Sequence, residues 1–228
     1  MSESALLFMC SGGGANLRFV HKACEEGWLT RWSKIVVVSD RECPAIDYAR
    51  NSGLESRCLD FSEKSQELLA AFVSNLQPDT TVTTVHRILK ENVLQASNSR
   101  LLNLHYSLLP SFSGTIGSSP VKAALEYGSK IIGVTVHEVT KVLDLGKPTV
   151  QVALPLAEGE QMPDAMNVVF RAGCIALFTA LKRIESESAI SHNLENPSLK
   201  ISDRHALISP CVAYPSFFFD ESFWESLK

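Results

Sequence analysis

Short, continuously apolar runs alternating with helical stretches constrain this chain more than any other feature of its sequence. Ala5 to Cys10 is such a run, and after Ser11-Gly-Gly-Gly-Ala-Asn16 a helical pattern continues through Phe19, Val20, Ala23 and Cys24. A strand that is apolar at every position has both faces buried, which happens in parallel sheets covered by helices on each side. The order then repeats. Lys34 to Ser39 is a second strand, and Pro44, favourable at a helix start, opens a helix over Ala45 to Asn51. Ser56 to Phe61 is a weaker third strand, followed by a helix through Leu68, Leu69, Phe72 and Val73 for which Ser62 is a candidate cap. Thr80 to Val85 is β-branched and makes the fourth strand, after which a helical stretch is expected from His86-Arg-Ile-Leu to about Ala96. Leu101 to His105 is the fifth.

The second half changes character. Pro110 to Pro120 is rich in Gly, Ser and Pro and lacks a period, as functional loops often do. A helix from Pro120 to about Tyr127 stops at Gly128, and Lys130 to Thr140 and Thr149 to Leu156 form two strands whose short connection favours an antiparallel pair. Met166, Val169, Phe170, Gly173, Leu177, Leu181 and Ile184 define the longest helix. From Ser186 to Asp203 no period is evident, while Tyr214, Phe217, Phe218, Phe219, Phe223 and Trp224 are too apolar to stay in water and are expected to pack back on the domain. The expected fold is α/β: a Rossmann-like, mostly parallel sheet with helices on both faces and an antiparallel addition near the C-terminal half. Residues 1–185 read as the catalytic domain and 186–228 as an extension packed on it.

Composition excludes several classes. A formal net charge of −4 over 228 residues leaves no basic excess for a nucleic-acid backbone. No apolar run approaches the roughly 18 residues of a membrane span, and the acidic start lacks the basic segment of a signal peptide, so no membrane partner and a cytoplasmic location are expected. The six cysteines show no C-x-x-C spacing and read as small buried apolar residues. No pair of His or Cys stands at i, i+4 in a helical pattern, so no metal is expected.

In a parallel α/β sheet, ligands bind beyond the carboxyl ends of the strands, near a switch in strand order. Three groups stand there. Gly12, Gly13, Gly14, Ala15 and Asn16 lie between a strand and a helix, where backbone amides can wrap an anion or a polar ligand. This loop lacks the third glycine of a dinucleotide fingerprint and the lysine of a nucleotide triphosphate loop. Asn103 and His105 share one face of the fifth strand, an amide donor beside a titratable imidazole, suited to stabilising an oxyanion and moving a proton. Asp144 sits among apolar neighbours in Val142-Leu-Asp-Leu-Gly146. A carboxylate meeting an imidazole would fix its orientation and favour its cation.

Taken in order and spacing, Ser11 to Asn16, Arg87-Ile-Leu89, Asn103-Leu-His105 with Ser107-Leu-Leu-Pro110, and Val136-His-x-Val-Thr140 through Asp144-x-Gly146 resemble the folate-dependent formyltransferases over about residues 5 to 185. The nearest branch is the one that formylates glycinamide ribonucleotide in purine synthesis. The resemblance implies the formyltransferase fold, 10-formyltetrahydrofolate as co-substrate and a small-molecule amine as acceptor. It implies Asn103, His105 and Asp144 as the catalytic trio, and a pterin site from Arg87, Ile88, Leu89, Val93, Thr140, Lys141, Val142 and Leu143. The five residues from Gly12 to Asn16 would serve the acceptor, and a homodimer stays open. Three departures fall on the acceptor side: Tyr106 where the purine enzymes usually have Pro, a Gly114 to Ser119 loop without their His, and Gly173 where they have an acid. They point to a different amine, such as N5-hydroxyornithine or an amino sugar nucleotide, as the alternative acceptor. A non-catalytic folate-binding paralogue would be expected to lose the trio. A formyltetrahydrofolate hydrolase would be expected to carry an N-terminal regulatory domain before a first strand that here begins near Ala5.

Overall fold

The structure, a computed structural model, describes residues 4–62, 66–186 and 199–227, apart from the side chains of Phe217 and Phe219. The first half alternates as the apolar runs predict: β1 (Ala5–Cys10), α1 (Ala15–Glu25), β2 (Lys34–Ser39), α2 (Pro44–Asn51), β3 (Glu55–Cys58), α3 (Gln66–Leu76), β4 (Thr80–Thr84), α4 (Glu91–Ala96) and β5 (Arg100–His105). Then come α5 (Ser119–Tyr127), β6 (Ile131–Glu138), β7 (Pro148–Pro155), α6 (Met162–Glu185), β8 (Leu199–Ile201), β9 (Arg204–Ser209) and the short α7 (Glu221–Glu225). Among the described residues these strands form one sheet in the order β3-β2-β1-β4-β5-β6-β7-β9-β8. β1 to β5 are parallel, and every pairing from β5–β6 onward is antiparallel. The order reverses at β1, between β2 and β4, so the switch point faces the loops after β1 and β4.

Each face carries its own core. Leu6, Phe8 and Val37 pack with residues of α1, α2, α5 and α6, while Leu7, Met9, Val36 and Val38 pack with Leu69 and Val73 of α3 and Val93 of α4. Continuous apolar strands are thus buried on both sides, as their composition required. α6 is long and apolar enough to cross a membrane by length and composition, but most of its apolar stretch is buried as the central helix of the first core.

The structure corrects four expectations. No helix begins at His86: residues 86–90 are irregular and α4 starts only at Glu91. Side chains take over the backbone there, since Ser11 Oγ accepts the His86 N–H at 3.0 Å and the buried Gln66 amide accepts the Lys90 N–H at 2.7 Å and donates to the Ile88 carbonyl at 3.0 Å. The third strand covers only Glu55–Cys58, and the proposed Ser62 cap abuts residues 63–65, which lie outside the described ones. The segment expected to be aperiodic ends in the first strand of a hairpin, β8–β9, whose second strand β9 pairs with β7 and leaves β8 at the edge, so the antiparallel half is enlarged. Of the cysteines only Cys10 and Cys174 are buried, and Cys58 is exposed. The aromatic end does pack back: Trp224 stacks on Phe19 of α1 with centroids 5.9 Å apart, Phe218 meets Phe178 of α6 edge-on at 5.0 Å, and Arg171 lies over the Trp224 ring. Within the sequence's aromatic cluster, Phe217 and Phe219 have side chains outside the described ones.

Candidate active site

A cleft of about 920 Å³, counted out into its open mouth, lies at the switch point. Its walls are the end of β4 and the residues after it (Thr83 to Leu89), the end of β5 with the next residue (Asn103 to Tyr106), Thr115 to Gly117, and His137 with Val139 to Asp144; Asn16 of α1 also lines it.

Strand alternation turns Asn103 and His105 toward the same face, and the antiparallel register sets His137 of β6 opposite Asn103. The chain then leaves β6 in a tight loop that returns to it. Lys147 O accepts the Glu138 N–H at 3.0 Å, and at Gly146 a Cβ would come within 1.5 Å of the Glu138 carbonyl oxygen, so only glycine closes this loop. Asp144 stands at its apex with φ 55°, a left-handed conformation that Asp tolerates better than most residues. The loop brings the carboxylate back between two imidazoles: Oδ2 is 3.6 Å from His105 Nδ1 and Oδ1 is 3.7 Å from His137 Nε2. Oδ2 also accepts the Gly114 N–H at 2.7 Å.

The protons can be followed. His137 Nδ1 faces the Glu138 carbonyl at 2.9 Å, which can only accept, so Nδ1 carries hydrogen and Nε2 is free to accept from Asn103 Nδ2 at 3.1 Å. Burial holds the His137 pKa below its usual 6.5, which matches this neutral form. One Asn103 N–H is spent on His137 and the other remains for the cleft. His105 Nε2 faces the Phe112 carbonyl at 3.3 Å, so both ring nitrogens of His105 face acceptors. Phe112 follows the Ser107-Leu-Leu-Pro110 turn, which Thr135 of β6 fixes by accepting the Leu109 N–H at 3.0 Å and donating to Ser107 O at 2.8 Å. A carbonyl compound beside these groups would meet an amide donor for a developing oxyanion and an imidazole able to pass a proton.

The other sequence candidates divide. Arg87, Ile88, Leu89, Thr140, Lys141, Val142 and Leu143 all line the cleft. Ile88, Val142 and Leu143 are exposed there, and Lys141 is ion-paired with Glu91 across the mouth. Val93 does not line it: the residue is buried in the second core, because the helix that would have carried it toward the cleft starts too late. Of the glycine loop only Asn16 lines the cleft; Gly12, Gly13, Gly14 and Ala15 lie outside its walls. Gly14 has a packing reason, since at φ 73° a Cβ would stand 2.6 Å from Ala45 Cβ, where α2 meets the loop. His137, Thr135 and Gln66 were not singled out from the sequence. His137 stands in the Val136-His-x-Val-Thr140 motif, but its partner across the sheet is visible only once the register is known.

A model of the formyl transferase family matches residues 5–181. Phosphoribosylglycinamide formyltransferase of Mycobacterium tuberculosis is 30% identical over 189 residues, which span 79% of this chain and 86% of that protein. The chloroplastic phosphoribosylglycinamide formyltransferase of Arabidopsis thaliana is 29% identical over 164 residues, 65% of this chain and 54% of that protein, so the chain spans about half the length of this plant relative. Among solved structures, glycinamide ribonucleotide transformylase 1 from Symbiobacterium toebii superposes with a TM-score of 0.75 at 27% identity, covering 84% of this chain and 92% of that one.

Proposed function

The chain belongs to the formyl transferase family, and from that premise we propose that it moves a formyl group from 10-formyltetrahydrofolate to the amine of glycinamide ribonucleotide. The observation that carries this reading is the convergence of Asn103, His105 and Asp144 beside an apolar slot formed by Ile88, Leu89 and the Val139 to Leu143 loop. A flat pterin suits that slot, with apolar side chains on its faces and main-chain groups at its edge. Of the loop that leads into α1, Asn16 reaches the cleft and is placed to meet the acceptor, with the backbone amides of Gly12 to Ala15 as the group that would take its phosphate end.

In this mechanism the amine nitrogen attacks the formyl carbon and the carbonyl π pair moves to oxygen. The free N–H of Asn103 donates to that oxygen, an effect worth about 3 kcal/mol for one such donor in other enzymes. His105, oriented by Asp144, supports the same charge and carries the proton lost by the attacking nitrogen to the folate nitrogen as the carbon–nitrogen bond to folate breaks. The products are the formylated amine and tetrahydrofolate. His137 accepts one hydrogen of the Asn103 amide and so aims the other. Residues 1–185 would form the catalytic unit with 186–228 packed upon it, and a cytoplasmic enzyme, alone or as a homodimer, fits this reading.

A second reading keeps the reaction and changes the amine. It is favoured by Tyr106, which lines the cleft with Asn16 and whose ring lies against Gly173 of α6. Incubation with 10-formyltetrahydrofolate and separately with glycinamide ribonucleotide, N5-hydroxyornithine or an amino sugar nucleotide, following tetrahydrofolate release, decides between them. Release with glycinamide ribonucleotide that His105→Ala abolishes supports the first reading, and release only with another amine supports the second. Release without any amine would indicate hydrolysis.

A further inference from the structure

Tyr106 follows His105 directly, so its side chain leaves the opposite face of β5 and packs with Leu104 against α6. At Gly173 a Cβ would stand 3.1 Å from Tyr106 Cε1 and 3.0 Å from Leu104 Cδ2, so the ring occupies the space that a side chain at position 173 would need. The hydroxyl is held from one side. Cys174 Sγ donates to Asn16 Oδ1 at 3.4 Å, and the Asn16 amide donates through Nδ2 to the Tyr106 oxygen at 2.9 Å. Burial raises the Cys174 thiol well above its usual range, so it stays a donor, and pushes the Tyr106 phenol up to about 12, so it keeps its proton. With the Asn16 amide placed as it is, the chain runs from thiol to amide to phenol oxygen. Among the described residues no acceptor takes the phenol proton. Tyr106 and Asn16 both line the cleft, beside Leu104, Thr115, Ile116 and Gly117, none of which is charged.

We propose that Tyr106 selects the acceptor: its hydroxyl, steadied by Asn16 and Cys174, donates to a neutral oxygen of the amine substrate, such as a sugar hydroxyl or an amide carbonyl, where α6 presents no side chain. This deepens the formyl-transfer reading and rests on it for the identity of the reaction. Tyr106 touches the acceptor and not the formyl group, so it governs amine affinity rather than the chemical step.

The test compares the intact protein with Tyr106→Phe, which keeps the ring, and with Cys174→Ala and Cys174→Ser, which remove and retain the thiol's donor role. Steady-state kinetics are run with 10-formyltetrahydrofolate and the amine turned over by the unaltered protein, and glycinamide ribonucleotide binding is measured by calorimetry. Tyr106→Phe is expected to raise the KM for the amine roughly tenfold, as loss of one hydrogen bond would, with kcat and the KM for the folate within about twofold. Cys174→Ala shifts the amine KM in the same direction and Cys174→Ser restores it. An unchanged amine KM in Tyr106→Phe overturns this inference while leaving formyl transfer standing. A protein that binds glycinamide ribonucleotide, weakens on Tyr106→Phe and yet transfers no formyl group keeps this inference and overturns the transfer. A protein that neither binds nor formylates any of the amines overturns both.

Discussion

His105 and Asp144, far apart in the chain, face each other with Nδ1 3.6 Å from Oδ2, and the Gly114 N–H fixes the carboxylate at 2.7 Å from the other strand's loop. If the pair moves the proton, His105→Ala and Asp144→Asn should each lower kcat about 10²–10⁴-fold with little change in the KM for the folate. Asn suits position 144 because it tolerates the left-handed backbone found there. Stopped assays of tetrahydrofolate release measure this, and a loss under tenfold in both variants would remove the pair from the mechanism.

His137 supplies a pH dependence. Its folded pKa is depressed by burial, so the unfolded chain binds a proton that the folded chain resists. The contribution to stability is therefore complete above the unfolded value near 6.5 and is lost as pH falls below it toward the lowered folded value. Urea unfolding at pH 7, 6 and about 5 should show the unaltered protein losing stability more steeply than His137→Gln, which cannot titrate. Parallel curves would mean that His137 shares in no such linkage.

Ile88 and Val93 separate surface from core within one short segment. Ile88 is 62% exposed and lines the cleft, whereas Val93 is 1% exposed in the second core. Ile88→Ala should leave stability within about 0.5 kcal/mol but raise the folate KM about tenfold. Val93→Ala should cost about 2 kcal/mol in unfolding and leave the KM unchanged. The reverse pattern would place the folate elsewhere.

Trp224 tests the C-terminal packing. The ring is buried against Phe19 and beneath Arg171, so Trp224→Ala should destabilise by about 3–5 kcal/mol, measured by denaturant unfolding. Because neither Trp224 nor its partners Phe19 and Arg171 line the cleft, kcat at a temperature where the variant remains folded should be unaltered; a matching fall in kcat would tie the segment to the chemistry.

The parallel half was legible because buried strands are apolar throughout, and β1 and β2 end where the apolar runs end. The convergence of Asn103, His105 and Asp144 was inferred from residue type and resemblance, and their contact depends on the closure that Gly146 permits. What stayed hidden was set by side chains acting on distant backbone. Leu89 and Val93 have helical spacing, yet Ser11 and Gln66 hold residues 86–90 out of a helix. His137 gains its role from a register across β5 and β6. β8 is three residues long, too short for alternation to stand out, although Leu199 and Ile201 are buried on either side of exposed Lys200.

That terminal hairpin also determines how the sheet finishes. Without it β7, eight residues long, would present its bare hydrogen-bonding margin to solvent; with it the described sheet ends on the three residues of β8 at one side and the four of β3 at the other. Both outer strands are short and carry charge, Lys200 on one and Glu55 and Arg57 on the other. Such brief, charged borders give neighbouring molecules little to zip onto, so the fold guards itself against amyloid-like stacking at both ends.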